Sequence, residues 1–226
     1  MKPKILVTRA VFPEVIERLS QHFDVEANQD DNIFDEAELA RRLQGKDGVF
    51  SNPTDRISAS LIQSVPGLKA VCNMAVGYNN IDVPAATAAG IMVTNTPDVL
   101  NETTADLGWA LLMAAARRVT ESEHYLRAGE WKKWTYDGFM GNDVHGSTVG
   151  IIGMGRIGQA VARRSMGFNM KVIYNNRSRL SPELEAKANN AQHVSREELL
   201  RTADHIVLVL PYSAESHHTI GEKELA

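Results

Sequence analysis

Three glycines at fixed offsets constrain this chain more than any other feature. In TVGIIGMGRIGQAVARR (148–164), Gly153, Gly155 and Gly158 form G-x-G-x-x-G straight after an apolar run and straight before a helical pattern. A second strand-like run, KVIYNN, follows at 171–176. In such a turn Gly153 permits the tight reversal and Gly155 lets the backbone approach a pyrophosphate. Gly158 allows the helix to pack closely on the strand. Helix N-terminal amides then meet the phosphate charge. The spacing predicts a strand–turn–helix that binds a dinucleotide at Gly153, Met154, Gly155 and Gly158.

The end of the next strand bears on which dinucleotide. An acidic residue there commonly holds the adenosine ribose. Here the place is filled by Asn175, Asn176, Arg177, Ser178 and Arg179. A carboxylate would accept from the ribose hydroxyls and repel a 2'-phosphate; amides remove that repulsion. Arg177 and Arg179 offer guanidinium forks suited to phosphate, with the Ser178 hydroxyl between them. The expectation is NADP(H) in preference to NAD(H). The alternative reading leaves both arginines as solvated loop charges.

Elsewhere, short apolar runs alternate with helical patterns. KILVT, GVFS, LKAVCNMA and IMVTNT read as strands. PEVIERLSQHF, DEAELARRLQ, SASLIQSVP and NNIDVPAATAAG read as helices, with Pro13 in a first turn and Ser58 as a cap. Such alternation is the signature of a parallel sheet covered on both faces. From Asn101 to about Arg118 the pattern changes to a helix apolar nearly all round, which predicts burial between two bodies. AGEWKKWTYDGFMGNDVHG, without a clear period, reads as a long excursion. TVGIIG, KVIYNN, the capped helix SREELLRTA and HIVLVL then restart the alternation. The fold class is α/β, with two doubly wound parallel-sheet domains, one flavodoxin-like and one Rossmann-type, the second incomplete. The boundary falls between residues 1–100 and 101–226. The three later strands account for one mononucleotide half, and the sequence stops at GEKELA before a second. HIVLVL is then expected to present an uncovered apolar edge that invites pairing with other chains.

Composition narrows the function classes. The 226 residues are 43% hydrophobic and 23% charged, with formal net charge -4, so no bulk attraction to nucleic acid or an anionic membrane is expected. No apolar run approaches the ~20 residues that cross a bilayer. The single cysteine, Cys72, excludes an intrachain disulfide framework and suits a reducing cytoplasm. No metal ligand set is read.

NMAVGYNNIDVPAATAAGIMVTNTPDVLNETTADLGWALLMAAARR, then AGEW, the glycine motif and LVLPYSAESHHTIG, resemble the D-isomer-specific 2-hydroxyacid dehydrogenase family over essentially the whole chain. The segments are most similar to its glyoxylate/hydroxypyruvate and 2-ketogluconate reductases. The resemblance implies a substrate-binding and a nucleotide-binding domain with the active site in the cleft between them, and a homodimer. It implies that the N–H groups of Val76 and Gly77 hold the substrate carboxylate. Thr104 is implied near the nicotinamide, Arg156 and Ile157 at the pyrophosphate, and Leu210 and Pro211 on the adenine side. Trp131 and Trp134 would lie in a segment that reaches across the dimer interface.

The family's chemistry also uses an Arg on the substrate, a proton-donating His and a Glu that raises that histidine's pKa. The resemblance places all three after Ala226, so no catalytic residue is read within this chain. The seven histidines present sit at element ends or in loops. Hydride transfer without a poised general acid loses a factor of ~10²–10⁴. Two readings stand. One is an NADPH-dependent reductase of a small 2-keto acid, read from a truncated chain. The other is a non-catalytic nucleotide-binding regulatory or interaction protein of the same fold.

Overall fold

A computed structural model describes residues 1–225; Ala226, the last residue of the second expected domain, lies outside them. The chain divides into two compact units, Met1–Asp98 and Val99–Ala226, within two residues of the boundary read from the sequence.

The first unit runs β1 (Lys4–Val7), α1 (Pro13–His22), β2 (Asp24–Ala27), α2 (Glu36–Leu43), β3 (Gly48–Ser51), α3 (Ala59–Ser64), β4 (Ala70–Asn73), α4 (Val83–Ala88) and β5 (Met92–Thr94). All five strands are parallel, in the order β2-β1-β3-β4-β5. This is the flavodoxin-like winding, whose order reverses beside β1. The central strands are buried on both faces because helices cover both: Leu6, Val7, Val49 and Val71 are almost wholly enclosed. Local chemistry sets the helix starts. Pro13 occupies the first turn of α1, where its missing N–H costs nothing. The Ser58 side chain accepts from Leu61 N–H, and that of Asp82 from Ala85 N–H. The Asp82 cap places the start of α4 at Val83, inside the longer helix expected over 79–90. β2 was missing from the expected strands; its sequence, DVEA, is polar and lies on a sheet edge.

The second unit contains α5 (Asn101–Ala116), α6 (Val119–Arg127), β6 (Thr148–Ile152), α7 (Arg156–Arg164), β7 (Lys171–Asn175), α8 (Pro182–Lys187), β8 (Gln192–His193), α9 (Arg196–Thr202), β9 (His205–Leu208) and α10 (Glu222–Leu225). Its parallel strands order as β8-β7-β6-β9. That order corrects the strand count. The two-residue β8 completes the first half, so β9 is the fourth strand, across β6, and opens the second half. Two polar residues on an edge leave no periodicity to read. β9 pairs only with β6 among the described strands, and its outer side chains Ile206 and Leu208 stand 38% and 48% exposed.

The long apolar helix encloses one face within its own unit. Ala105, Leu112 and Ala116 of α5 are buried in the core of the second unit, while Leu107 and Leu111 are each 61% exposed. Its inner face packs on α7, and Glu102 and Asp106 pair with Arg163 and Arg164. Arg118, at a left-handed φ of 52°, separates α5 from α6, a helix absent from the sequence reading. Residues 129–147 form no strand or helix, as the excursion predicts.

Candidate functional site

The glycine turn joins β6 to α7 at the carboxyl ends of the strands, beside the point where strand order reverses. Open α/β sheets bind ligands there. Gly153 has φ 103°, and a Cβ on it would lie 2.3 Å from the carbonyl oxygen of Val209 and 2.9 Å from Leu210 Cδ2. A Cβ on Gly158 would lie 2.3 Å from the Gly153 carbonyl oxygen. Neither site has room for a side chain. Gly155 is the opposite case, because a Cβ there meets nothing within 4 Å. It precedes the first turn of α7, whose leading N–H groups have no acceptors inside the helix. The turn is rigid where it touches protein and bare where a pyrophosphate would approach. It fits a dinucleotide.

The structure brings Leu210 to this turn, against Gly153, with Pro211 exposed just beyond. Met154 has a different job. Its side chain is fully buried and its N–H donates to Asn176 Oδ1 at 2.8 Å, so it shapes the turn from within. Asn175 Nδ2 donates to Val194 O at 2.9 Å, tying the end of β7 to the residue that follows β8. Both amides therefore fasten the loop that carries Arg177 and Ser178.

The two arginines separate. Arg179 forks onto Glu185, Nε to Oε1 at 2.8 Å and Nη2 to Oε2 at 2.9 Å. The Tyr174 hydroxyl donates to Glu185 Oε1 at 2.7 Å and accepts from Leu180 N–H at 2.8 Å. Arg179, expected to face an added phosphate, is thus committed to a carboxylate within the unit. Arg177 is exposed and makes no ion pair among the described residues. Held by Arg179 and by the Tyr174 hydroxyl, the Glu185 carboxyl drops to about 2 from an ordinary 4.5. A depressed carboxyl contributes stability above its unfolded value, and that stability is lost as pH falls from about 4.5 through about 2. Melting temperature measured over that window should fall less steeply for Glu185→Gln than for the parent chain. Equal slopes would count against the network.

In the first unit, Val76 and Gly77 sit in the turn after β4. Four successive carbonyls of this turn are held. Ala75 O accepts from Thr96 N–H at 2.9 Å and Val76 O from Asn95 Nδ2 at 2.9 Å. Gly77 O accepts from Asn73 Nδ2 at 2.9 Å, and Tyr78 O from Ile81 N–H at 3.0 Å. The N–H groups of Val76 and Gly77 donate to nothing among the described residues. Asn73, Asn80 and Asn95 escaped the sequence reading. Their one signal was the position of Asn73 and Asn95 at the ends of strands, where loops carry function.

Thr104 is the fourth residue of α5, and Leu100 holds the cap position without a side-chain hydrogen bond. Trp131 and Trp134 are 58% and 78% exposed. His217 and His218 are exposed. Among the described residues no helix is long and apolar enough to cross a membrane.

A doubly wound sheet with an open glycine turn at its switch point defines an α/β protein of the Rossmann-like, nucleotide-binding class. Residues 109–226 match the family described as D-isomer specific 2-hydroxyacid dehydrogenase, NAD binding domain. The glyoxylate reductases of Thermococcus onnurineus and Thermococcus kodakarensis are 44% and 45% identical to all of this chain, which covers 68% of each. Among solved structures, a glyoxylate reductase from Paecilomyes thermophila is 34% identical with a TM-score of 0.86, over 99% of this chain and 70% of that one. An acyclic imino acid reductase in complex with NADPH and D-Arg is 28% identical, also at 0.86, over 98% of this chain and 70% of that one. The chain belongs to the D-isomer specific 2-hydroxyacid dehydrogenase family, a family of oxidoreductases.

Proposed function

We propose that this chain serves an NADPH-dependent reductase that converts a small 2-keto acid to the D-2-hydroxy acid. Glyoxylate, hydroxypyruvate and 2-ketogluconate are the candidates. The observation that carries the reading is the identity with glyoxylate reductases along the whole chain. NADPH, when bound, supplies the hydride that reduces the keto carbon. The chain's own residues bind and orient. The glycine turn takes the pyrophosphate, with Gly155 as the point of approach and Arg156 and Ile157 opening the helix beneath it. Leu210 and Pro211 border the adenine side, and Thr104 lies toward the nicotinamide. Arg177 and Ser178 take the 2'-phosphate, a preference supported by a structural relative with NADPH bound. Val76 and Gly77 hold the substrate carboxylate through two N–H groups. No proton donor for the carbonyl oxygen is assigned within these residues.

Calorimetry with NADPH and NADH, followed by NADPH oxidation with each keto acid, tests the reading. NADPH should bind more tightly, and at least one keto acid should be reduced. A folded preparation that binds neither dinucleotide would overturn it.

A homodimer is part of the same proposal. Trp131, Trp134 and Tyr136, the last 82% exposed, leave an aromatic surface of the kind that interfaces bury. Sedimentation should show a dimer that Trp134→Glu weakens; a parent chain monomeric at all concentrations would refute this.

A further inference from the structure

The geometry points to Asn95 as the positioning residue that aims the Gly77 N–H at the substrate carboxylate, with Asn73 bracing the same turn from the other side. The inference rests on the carboxylate site proposed above and adds what builds it.

A trans peptide is planar, so the direction of its carbonyl sets the opposite direction of the next residue's N–H. No cis peptide occurs among the described residues. Thr96 N–H on Ala75 O therefore orients the Val76 N–H. Asn95 Nδ2 on Val76 O, across 19 residues of sequence, orients the Gly77 N–H. Asn73 Nδ2 on Gly77 O orients the peptide after it. Three successive peptides are thus each fixed in direction by donors from the end of β4 and the segment after β5.

The braces are themselves fastened. Ser51 Oγ donates to Asn73 Oδ1 at 3.1 Å, and Asn73 Nδ2 also reaches Asn80 Oδ1 at 3.2 Å. Asn80 Nδ2 donates to Asn52 O at 3.1 Å and Asp55 O at 3.0 Å. Asn73 is 2% exposed, so this side of the frame is buried. A turn without such ties would present its N–H groups in many directions and lose the advantage of preorganised donors. An Asn suits the task because its amide donates to a carbonyl without bringing a charge toward the anion.

The test uses the nitrogen-15-labelled chain and oxamate, an unreactive analogue of a 2-keto acid. The parent chain should show saturable shifts at the Val76 and Gly77 amides. Asn95→Leu, similar in volume and lacking a donor, should bind oxamate at least about tenfold more weakly, the loss expected for one charge-assisted hydrogen bond. Its NADPH affinity should be unchanged. Asn95→Ser, too short to reach Val76 O, should behave alike and covers the case in which the leucine variant fails to fold. Asn95→Gln, which keeps the donor, should recover part of the affinity. If the donorless variants bind oxamate as tightly as the parent, Asn95 has no such role and the carboxylate site stands without it. If the parent itself shows no shift at Val76 and Gly77, the carboxylate site falls, and this inference with it.

Discussion

Gly155→Ala leaves the protein folded and weakens dinucleotide binding by roughly 10–100-fold, while Gly153→Ala costs both binding and stability. The contrast follows from what each new Cβ would meet. At Gly155 it meets nothing within 4 Å, and the residue's φ of −75° suits alanine. Melting should therefore not change. The methyl group would stand where the pyrophosphate approaches, and one or two charge-assisted hydrogen bonds would lengthen or be lost. Each is worth about 1.5–3 kcal/mol, which sets the expected range. At Gly153 the φ of 103° is strained for any residue with a side chain, and the Val209 carbonyl oxygen would lie 2.3 Å from the new carbon. Strain of this kind costs on the order of 1–3 kcal/mol before the clash is counted. The melting temperature should drop by several degrees. Calorimetry with NADPH beside a thermal melt separates the two effects. If Gly155→Ala binds NADPH as the parent does, the pyrophosphate does not lie over this turn.

What was legible in the sequence was what short-range chemistry enforces. Gly153, Gly155 and Gly158 were readable because their tasks depend on neighbours within a few residues, and Ser58 and Ser195 because a cap acts three residues ahead. β2 and β8 were not, since DVEA and QH are short, polar edge strands held by pairing with distant partners. The outer face of α5 is legible only in part, because apolar residues imply a partner without saying where it comes from. At the candidate site, the N–H groups of Val76 and Gly77 came from family likeness, whereas Asn95 depends on a contact 19 residues away. Arg179 was read as free because nothing in NNRSR reveals that Glu185, one turn into α8, captures it. Charge type was readable. Its partner was not.

That capture sets the second large effect, since it divides the labour of the two arginines. Arg177→Ala should weaken NADPH binding by roughly 10–100-fold and leave NADH nearly untouched, the consequence of losing charge-assisted hydrogen bonds to one phosphate. Arg177→Asp should go further, because a carboxylate would repel the 2'-phosphate and accept from ribose hydroxyls. Arg179→Ala should act differently. It removes the fork on Glu185, whose side chain is only 10% exposed, and leaves that carboxylate with the Tyr174 hydroxyl as its remaining partner. The loop from Asn176 to Leu180 would loosen, and both dinucleotides should lose affinity together, with a lower melting temperature. Because Arg177 is exposed, the advantage of NADPH over NADH should shrink as ionic strength rises. Dissociation constants for both nucleotides at low and high salt, for the parent and the two alanine variants, decide the matter. A parent chain that prefers NADH would defeat the 2'-phosphate assignment outright. An Arg179→Ala variant that loses NADPH alone would show that the guanidinium leaves Glu185 when the cofactor arrives, and would return it to the phosphate.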